Sequence, residues 1–139
     1  MDTARFTLRR DTPDAAEFAA LRAAVGWGRV ETAVAQRALD CGLCCVTVRE
    51  GETLVGVGRV VGDGALYFYI QDLAVAPAYQ GLGIGAEILQ EIERFLRTDA
   101  PAGATVGLLA ARGKEAFYAR AGYVERTGEP LGKGMCKFV

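Results

Sequence analysis

Hydrophobic side chains recur along the chain with the two periods that distinguish strands from helices. A two-residue period or a β-rich composition predicts strands at residues 6–10, 43–49, 53–61, 65–75, 105–109, 123–125 and 136–139. A three- and four-residue period predicts helices at residues 13–25, 31–41, 83–97 and 114–120. The helix at 83–97 has the clearest pattern, because Ile88, Leu89, Ile92 and Leu96 form one apolar stripe.

The order of these elements, β-α-α-β-β-β-α-β-α-β-β, predicts an α+β fold in one domain spanning residues 1–139. Tight glycine turns join the strands at 43–49, 53–61 and 65–75, so these should form an antiparallel meander. The helix at 83–97 then crosses over to a strand that we expect to be parallel. The prediction is a mixed, mostly antiparallel central sheet flanked by helices.

Composition is that of an ordinary water-soluble globular protein. The chain has 139 residues, of which 51% are hydrophobic and 24% charged, with a net charge of −1. This balance argues against a nucleic-acid or membrane partner. No apolar run approaches the ~20 residues of a membrane span, and the first residues lack a signal-peptide pattern. We therefore expect a cytoplasmic protein.

The chain has no histidine and four cysteines, which restricts its chemistry. Nucleophile systems that need histidine are excluded, so acid–base work must come from carboxylates, Tyr, Lys, Cys or bound water. Cys41 and Cys44 have the spacing of a redox pair or half a zinc site. A thioredoxin-like pair would open a helix, whereas this pair closes one. We therefore expect reduced, packed thiols and no metal.

The most informative segment runs from Asp72 to Gly85, with the sequence DLAVAPAYQGLGIG. A predicted strand ends there, a proline turn follows, and alternating glycines lead into the helix at 83–97. Glycines let a ligand approach the backbone, and the first amides of a helix have no internal acceptor. Because the helix dipole adds positive charge at that end, a pyrophosphate group is the expected guest.

Two other interpretations of the glycines fit less well. A dinucleotide fingerprint needs an acidic residue about 20 positions later, where this chain has PAGAT, and it belongs after the first strand of a parallel unit. A nucleotide P-loop needs a Gly-Lys-Ser/Thr ending, which is absent. A turn without any ligand remains an alternative, although glycines in a helix's first turn cost stability.

Gln80–Gly85, preceded by Leu73–Pro77, resembles the acetyl-CoA-binding motif Q/R-x-x-G-x-G/A of the GNAT acetyltransferases. Phe117–Tyr123, with the sequence FYARAGY, resembles the same family's F-Y-x-x-x-G-F/Y element. The predicted element order matches the family over the chain, while the sequence resemblance is confined to about residues 70–124. The resemblance implies a GNAT-like fold and N-acetyl transfer from acetyl-CoA to a primary amine by direct attack in a ternary complex.

The resemblance also implies the cofactor contacts. The backbone of Leu73, Ala74 and Val75 would pair with the pantetheine arm, and the amides of Gln80–Gly85 would hold the pyrophosphate. Ala110 and Phe117 would flank the cofactor arm, with Tyr118 beside the thioester sulfur. The cofactor-binding residues implied are Leu73, Ala74, Val75, Gln80, Gly81, Leu82, Gly83, Ile84, Gly85, Ala110, Phe117 and Tyr118.

Acetyl transfer needs a base for the amine, a donor for the oxyanion and an acid for the thiolate. Tyr118 is the expected acid, and a core aromatic is the alternative. Asp72, next to the cofactor strand, is the candidate base through a water. The alternative is a structural carboxylate. Strict alternation would place Asp72 on the face of Leu66, Phe68 and Ile70, an awkward place for a charge, and a β-bulge near Gln71 would re-aim it.

The N-terminal third of the chain, which builds much of the acceptor site in the GNAT family, carries no recognisable motif. Trp27 and Tyr69 are the candidate substrate-binding residues, although either could simply pack on the core. A small-molecule amine is favoured over a protein amine because the chain is minimal. A module that binds acyl-CoA without turnover is the alternative function. Dimers are common in the family, so a homodimer is compatible with the resemblance.

Overall fold

The computed structural model describes all 139 residues, which fall into two compact units, Met1–Leu108 and Leu109–Val139. The first unit contains β1 (Thr7–Arg9), α1 (Ala15–Ala24), α2 (Thr32–Asp40), β2 (Cys44–Glu50), β3 (Thr53–Gly62), β4 (Tyr67–Val75), a 3-10 turn (Pro77–Tyr79), α3 (Ile84–Asp99) and β5 (Thr105–Leu108). The second unit contains α4 (Glu115–Ala119). The order of the helices and strands up to α4 agrees with the sequence prediction.

The sheet has five strands in the order β1-β2-β3-β4-β5. Neighbours are antiparallel from β1 to β4, and β4 pairs with β5 in parallel. This confirms the predicted mixed, mostly antiparallel sheet. The last pair between β4 and β5 is Ile70 with Leu108, so residues 71–75 of β4 extend past β5 with an open edge.

Helix α3 covers one face of the sheet because its apolar stripe meets glycines in β3. Ile84, Ile88 and Ile92 are fully buried. A Cβ built on Gly58 would lie 2.5 Å from Ile88 Cγ2, and one on Gly56 would lie 2.9 Å from Ile84 Cγ2. Any side chain at these two positions would therefore push the helix away from the strand.

Helices α1 and α2 pack on β3 and β4 and cover a second part of the core. Their buried side chains pack with residues of β3 and β4 in one apolar cluster, whose members are Ala15, Phe18, Leu21, Ala35, Leu39, Leu54, Val57 and Ala74. At the start of α1, the Asp14 N–H donates to Glu17 Oε1 at 3.0 Å. None of the helices combines the length and apolar character needed to cross a membrane.

The two closing strands predicted at 123–125 and 136–139 do not form. A strand needs a partner for its backbone and a buried face that fixes its register. Here Val124 is 87% exposed and Phe138 is 93% exposed, so neither segment has such a face. The stretch between them contains Gly128, Pro130 and further glycines, which disfavour extended pairing.

Candidate active site

The glycine-rich loop leads directly into the N-terminus of α3. Gly83 is the N-cap residue with φ +82°, and Gly81 has φ +79°, a left-handed conformation that residues with a Cβ rarely adopt. No side chain caps the helix. The amides of its first turn, which have no acceptor within the helix, are therefore available to an anion, and the helix dipole favours one there.

Two anchors hold this loop and the turn before it. Gln80 Nε2 donates to the Val75 carbonyl oxygen at 3.0 Å, which ties the loop to the end of β4. Tyr79 Oη donates to Glu50 Oε2 at 2.7 Å, and Arg5 Nε donates to Glu50 Oε1 at 2.5 Å. The hydrogen bond from Arg5 holds the pKa of Glu50 below its ordinary value, and the hydrogen bond from Tyr79 adds a smaller effect in the same direction. The loop is thus fixed to β2 and β4.

The open edge of β4 carries backbone groups that can accept an extended ligand. The Ala76 N–H donates to the Val55 carbonyl oxygen at 2.8 Å, so Ala76 points toward β3. Because successive residues of a strand point to opposite edges, Val75 and Leu73 present their backbone groups to the open edge. The Gln80 contact with the Val75 oxygen agrees with this direction. An added strand could therefore pair with Leu73 and Val75.

Asp72 lies in a β-bulge, which breaks the strict alternation of β4. The register between β3 and β4 shifts between Val57 and Arg59, and Asp72 is the one non-glycine residue with positive φ, +56°. Phe68 contacts Phe95 of α3, whereas Asp72 contacts Arg22 of α1. The bulge therefore moves Asp72 to the face opposite Phe68.

Both oxygens of the buried Asp72 carboxylate bind arginines. Arg22 Nη1 donates to Oδ1, and Arg59 Nε donates to Oδ2 at 2.9 Å. Arg59 Nη1 also donates to the Ala38 carbonyl oxygen at 2.8 Å. A carboxylate whose two oxygens already bind guanidinium groups is poorly placed to take a proton from a water. This geometry favours the structural alternative for Asp72, and its role as a base stays a prediction.

The family model described as the acetyltransferase (GNAT) domain matches residues 20–139. The chain belongs to the GNAT acetyltransferase family.

Similar proteins agree with this assignment. An uncharacterized ycf52-like N-acetyltransferase from Prochlorococcus marinus is 34% identical, over 91% of this chain and 69% of its own length. A probable acetyltransferase from Staphylococcus aureus has a TM-score of 0.86 and 28% identity, covering 96% of this chain and 99% of that one. A GNAT family acetyltransferase from Streptococcus pneumoniae has a TM-score of 0.77 and 28% identity, covering 96% and 98%.

The second GNAT motif lies in the second unit, where Tyr118 belongs to α4. Its ring packs edge-on against Phe117, with centroids 5.0 Å apart, and against Tyr123, with centroids 6.2 Å apart. Phe117, Tyr118 and Ala110 are half-buried. The aromatic cluster fixes the Tyr118 ring within this unit. The acid and cofactor-flanking roles stay predictions.

The two candidate acceptor residues of this GNAT chain lie in the first unit. Trp27 is 37% exposed in the connection between α1 and α2, and its ring lies 5.4 Å from the Arg22 guanidinium carbon. Tyr69 is half-buried on β4, where it lies opposite Gly107 of the parallel strand β5. The structure thus joins Trp27 to Asp72 through Arg22.

Sequence reasoning missed Arg22 and Arg59. A signal was present, because Arg59 interrupts a run of valines in β3 and Arg22 falls on the apolar face of α1. Charged residues are almost never fully buried without a partner. The acidic residue that could pair with a buried Arg59 was Asp72, on the next strand of the predicted meander.

Proposed function

We propose that this GNAT chain is an acetyl-CoA-dependent N-acetyltransferase whose acceptor is the primary amine of a small molecule. One observation carries the proposal. The open edge of β4 is followed along the chain by the glycine loop and then by the uncapped N-terminus of α3. An extended arm and a pyrophosphate, joined in that order, match these two neighbouring features. Acetyl-CoA has both parts.

The proposed cofactor contacts follow from this geometry. Leu73 and Val75 would pair with the pantetheine arm, and Gln80 would release the Val75 oxygen when the arm arrives. The amides from Gly81 to Gly85 would bind the pyrophosphate. Ala74 contributes its buried methyl group to the core behind the strand. In the second unit, Ala110 and Phe117 would flank the arm.

The proposed chemistry is direct attack of the amine on the thioester carbonyl within a ternary complex. The Leu73 N–H, which points to the open edge, would donate to the oxyanion. Tyr118 would protonate the departing thiolate of CoA. The amine proton would leave to a base, for which Asp72 acting through a water is the sequence candidate. Trp27 and Tyr69 would line the acceptor side.

Two further possibilities compete. A module that holds acyl-CoA without turnover would use the same β4 edge and α3 N-terminus. An acetyltransferase acting on a protein amine would use the same chemistry.

A cytoplasmic location, a single domain over residues 1–139 and a homodimer also stay predictions.

Cofactor identity is tested by thermal unfolding with acetyl-CoA, NAD or ATP. Acetyl-CoA should raise the melting temperature by mass action, and NAD and ATP should leave it unchanged. Equal stabilisation by NAD would contradict the proposal.

Turnover is tested by release of free thiol from acetyl-CoA across a panel of alkyl amines, aryl amines, polyamines, amino sugars and lysine peptides. A reaction without amine corrects for the four cysteines of the chain. Release with a small amine supports the proposed function, and release only with peptides supports the protein acceptor. Binding without release would favour the non-catalytic module.

A further inference from the structure

Arg22, in the last turn of α1, touches two parts of the proposed active site. Its Nη1 donates to Asp72 Oδ1 at the β4 bulge. Its guanidinium carbon lies 5.4 Å from the ring centroid of Trp27. The Arg22 side chain is 23% exposed, whereas that of Asp72 is 1% exposed. Arg22 therefore spans the distance from a buried carboxylate to an exposed aromatic ring.

The backbone of the same residue also holds Trp27. Helix α1 ends in a Schellman motif, in which Gly26 has φ +88°. The Trp27 N–H donates to the Arg22 carbonyl oxygen at 3.0 Å, and the Gly26 N–H donates to the Ala23 oxygen at 3.0 Å. In this motif an apolar contact often joins the first and last of its six residues, which are here Arg22 and Trp27. Here a guanidinium–indole contact takes that place.

Asp72, the buried partner of Arg22, is also held by a second residue, Arg59. Arg59 Nε donates to Asp72 Oδ2 at 2.9 Å, and Arg59 Nη1 donates to the Ala38 oxygen at the end of α2. Asp72 precedes Leu73, the residue whose backbone faces the open edge of β4. Asp72 is thus a rigid anchor beside the proposed cofactor strand, and Arg22 is the link from that anchor to Trp27.

We propose that Arg22 is a positioning residue that sets the indole of Trp27 relative to the β4 bulge. Its effect on catalysis rests on the proposed function, in which Trp27 lines the acceptor side and Leu73 binds the cofactor. Arg22 links Trp27 to Asp72, and Asp72 precedes Leu73, so the bound acceptor stays aligned with the thioester. Arg22 itself takes no part in the chemical step. Its loss should weaken acceptor binding while the chemistry on bound acceptor stays intact.

Trp27 is the only tryptophan, so its fluorescence reports this contact without any substrate. In Arg22→Ala, Asp72 keeps Arg59, while the indole loses its partner and gains no side chain in its place. Quenching of Trp27 by acrylamide should rise by roughly twofold when this contact is removed, because Trp27 is already 37% exposed and full exposure sets the limit. The matched control is Arg94→Ala, which removes an arginine from an exposed pair with Glu91 on α3 and should leave the quenching unchanged.

Circular dichroism tests whether each variant is folded. If Arg22→Ala does not fold, Arg22→Lys decides, because lysine retains the charge near Asp72 but has no planar group to place on the indole. Increased quenching in a folded variant supports the inference. Wild-type quenching in folded Arg22→Ala, or in Arg22→Lys where only that variant folds, would overturn it.

A kinetic measurement separates positioning from chemistry. With the amine that releases most thiol in the panel, Arg22→Ala should raise the KM for the amine by roughly fivefold and change kcat less than twofold. Trp27→Leu should then raise the KM less in the Arg22→Ala background than in the wild type, because the two residues act through one contact. A fall in kcat at constant KM would overturn the inference. If the wild type acetylates no amine, the proposed function fails, and the fluorescence result alone decides the role of Arg22.

Discussion

Arg59 on β3 and Asp72 on β4 form a buried ion pair, with Nε and Oδ2 2.9 Å apart and the two side chains 8% and 1% exposed. Arg22 completes the group from α1. Ion pairs this deeply buried add little stability over an apolar replacement, but removing one partner leaves a charge without compensation. The carboxylate therefore has a structural effect that any test of its catalytic role must separate.

Asp72→Asn should lower the free energy of unfolding by about 3–5 kcal/mol, because both arginines lose their carboxylate. Urea unfolding measures this loss. The control is Asp40→Asn, whose exposed carboxylate accepts from Gln36 Nε2 at 2.8 Å and should matter much less. If Asp72 is also the base, kcat of the folded variant should fall by roughly 10²-fold, the low end for a general base. A purely structural role would leave kcat of the folded variant near the wild-type value.

Gly83→Val should weaken acetyl-CoA binding, because the added side chain occupies the space of the pyrophosphate. A Cβ on Gly83 would also lie 3.0 Å from the Met1 nitrogen, and φ +82° is strained for valine. The matched control is Gly103→Val, which has φ +88° and no atom within 4 Å of its Cβ. Gly83→Val should lose at least as much stability as Gly103→Val, because only its Cβ meets Met1. Calorimetry should find weaker cofactor binding only in Gly83→Val. Equal affinities would place the phosphates elsewhere.

Tyr118→Phe should lower turnover by roughly 10²-fold, the low end for a general acid, because the ring stays while its proton is lost. Acetyl-CoA affinity should change little, since the hydroxyl acts mainly in the transition state. The control is Tyr123→Phe, which alters the neighbouring ring of the same cluster. The comparison requires an amine for which chemistry limits the rate. Wild-type turnover in Tyr118→Phe would make it a core aromatic.

The cysteines should differ in reactivity. Burial raises the pKa of the Cys45 thiol to about 12, and it also raises that of Cys44. Cys41 and Cys136 are exposed. At pH 8, Ellman's reagent should therefore modify Cys41 and Cys136 in a fast phase and the other two slowly, because the thiolate is the reactive form. Cys41→Ala should remove part of the fast phase, and Cys45→Ala should not. A single fast phase from all four thiols would contradict the buried positions of Cys44 and Cys45.

The sequence predicts the β4–α3 segment well because its signals are local. Pro77, the glycines and the apolar stripe of α3 each fix backbone geometry within a few residues. The arginines on Asp72 were missed because Arg22 lies 50 residues away from it in the chain. Such a pair depends on how α1 meets the sheet. The closing strands were wrong for a related reason, because β-rich composition around Val124 and Phe138 supplies no pairing partner.

Helix α3 rests directly on β3 because Gly56 and Gly58 have no side chains to separate them. The sheet, together with the anchored glycine loop, therefore holds the first-turn amides in place before any ligand arrives. A phosphate group meeting these amides restricts few new conformations, so little of its contact energy is lost to ordering the protein. A methyl group at Gly58 would shift all of these amides together, and its effect should be found in how fast the cofactor dissociates more than in how fast it associates.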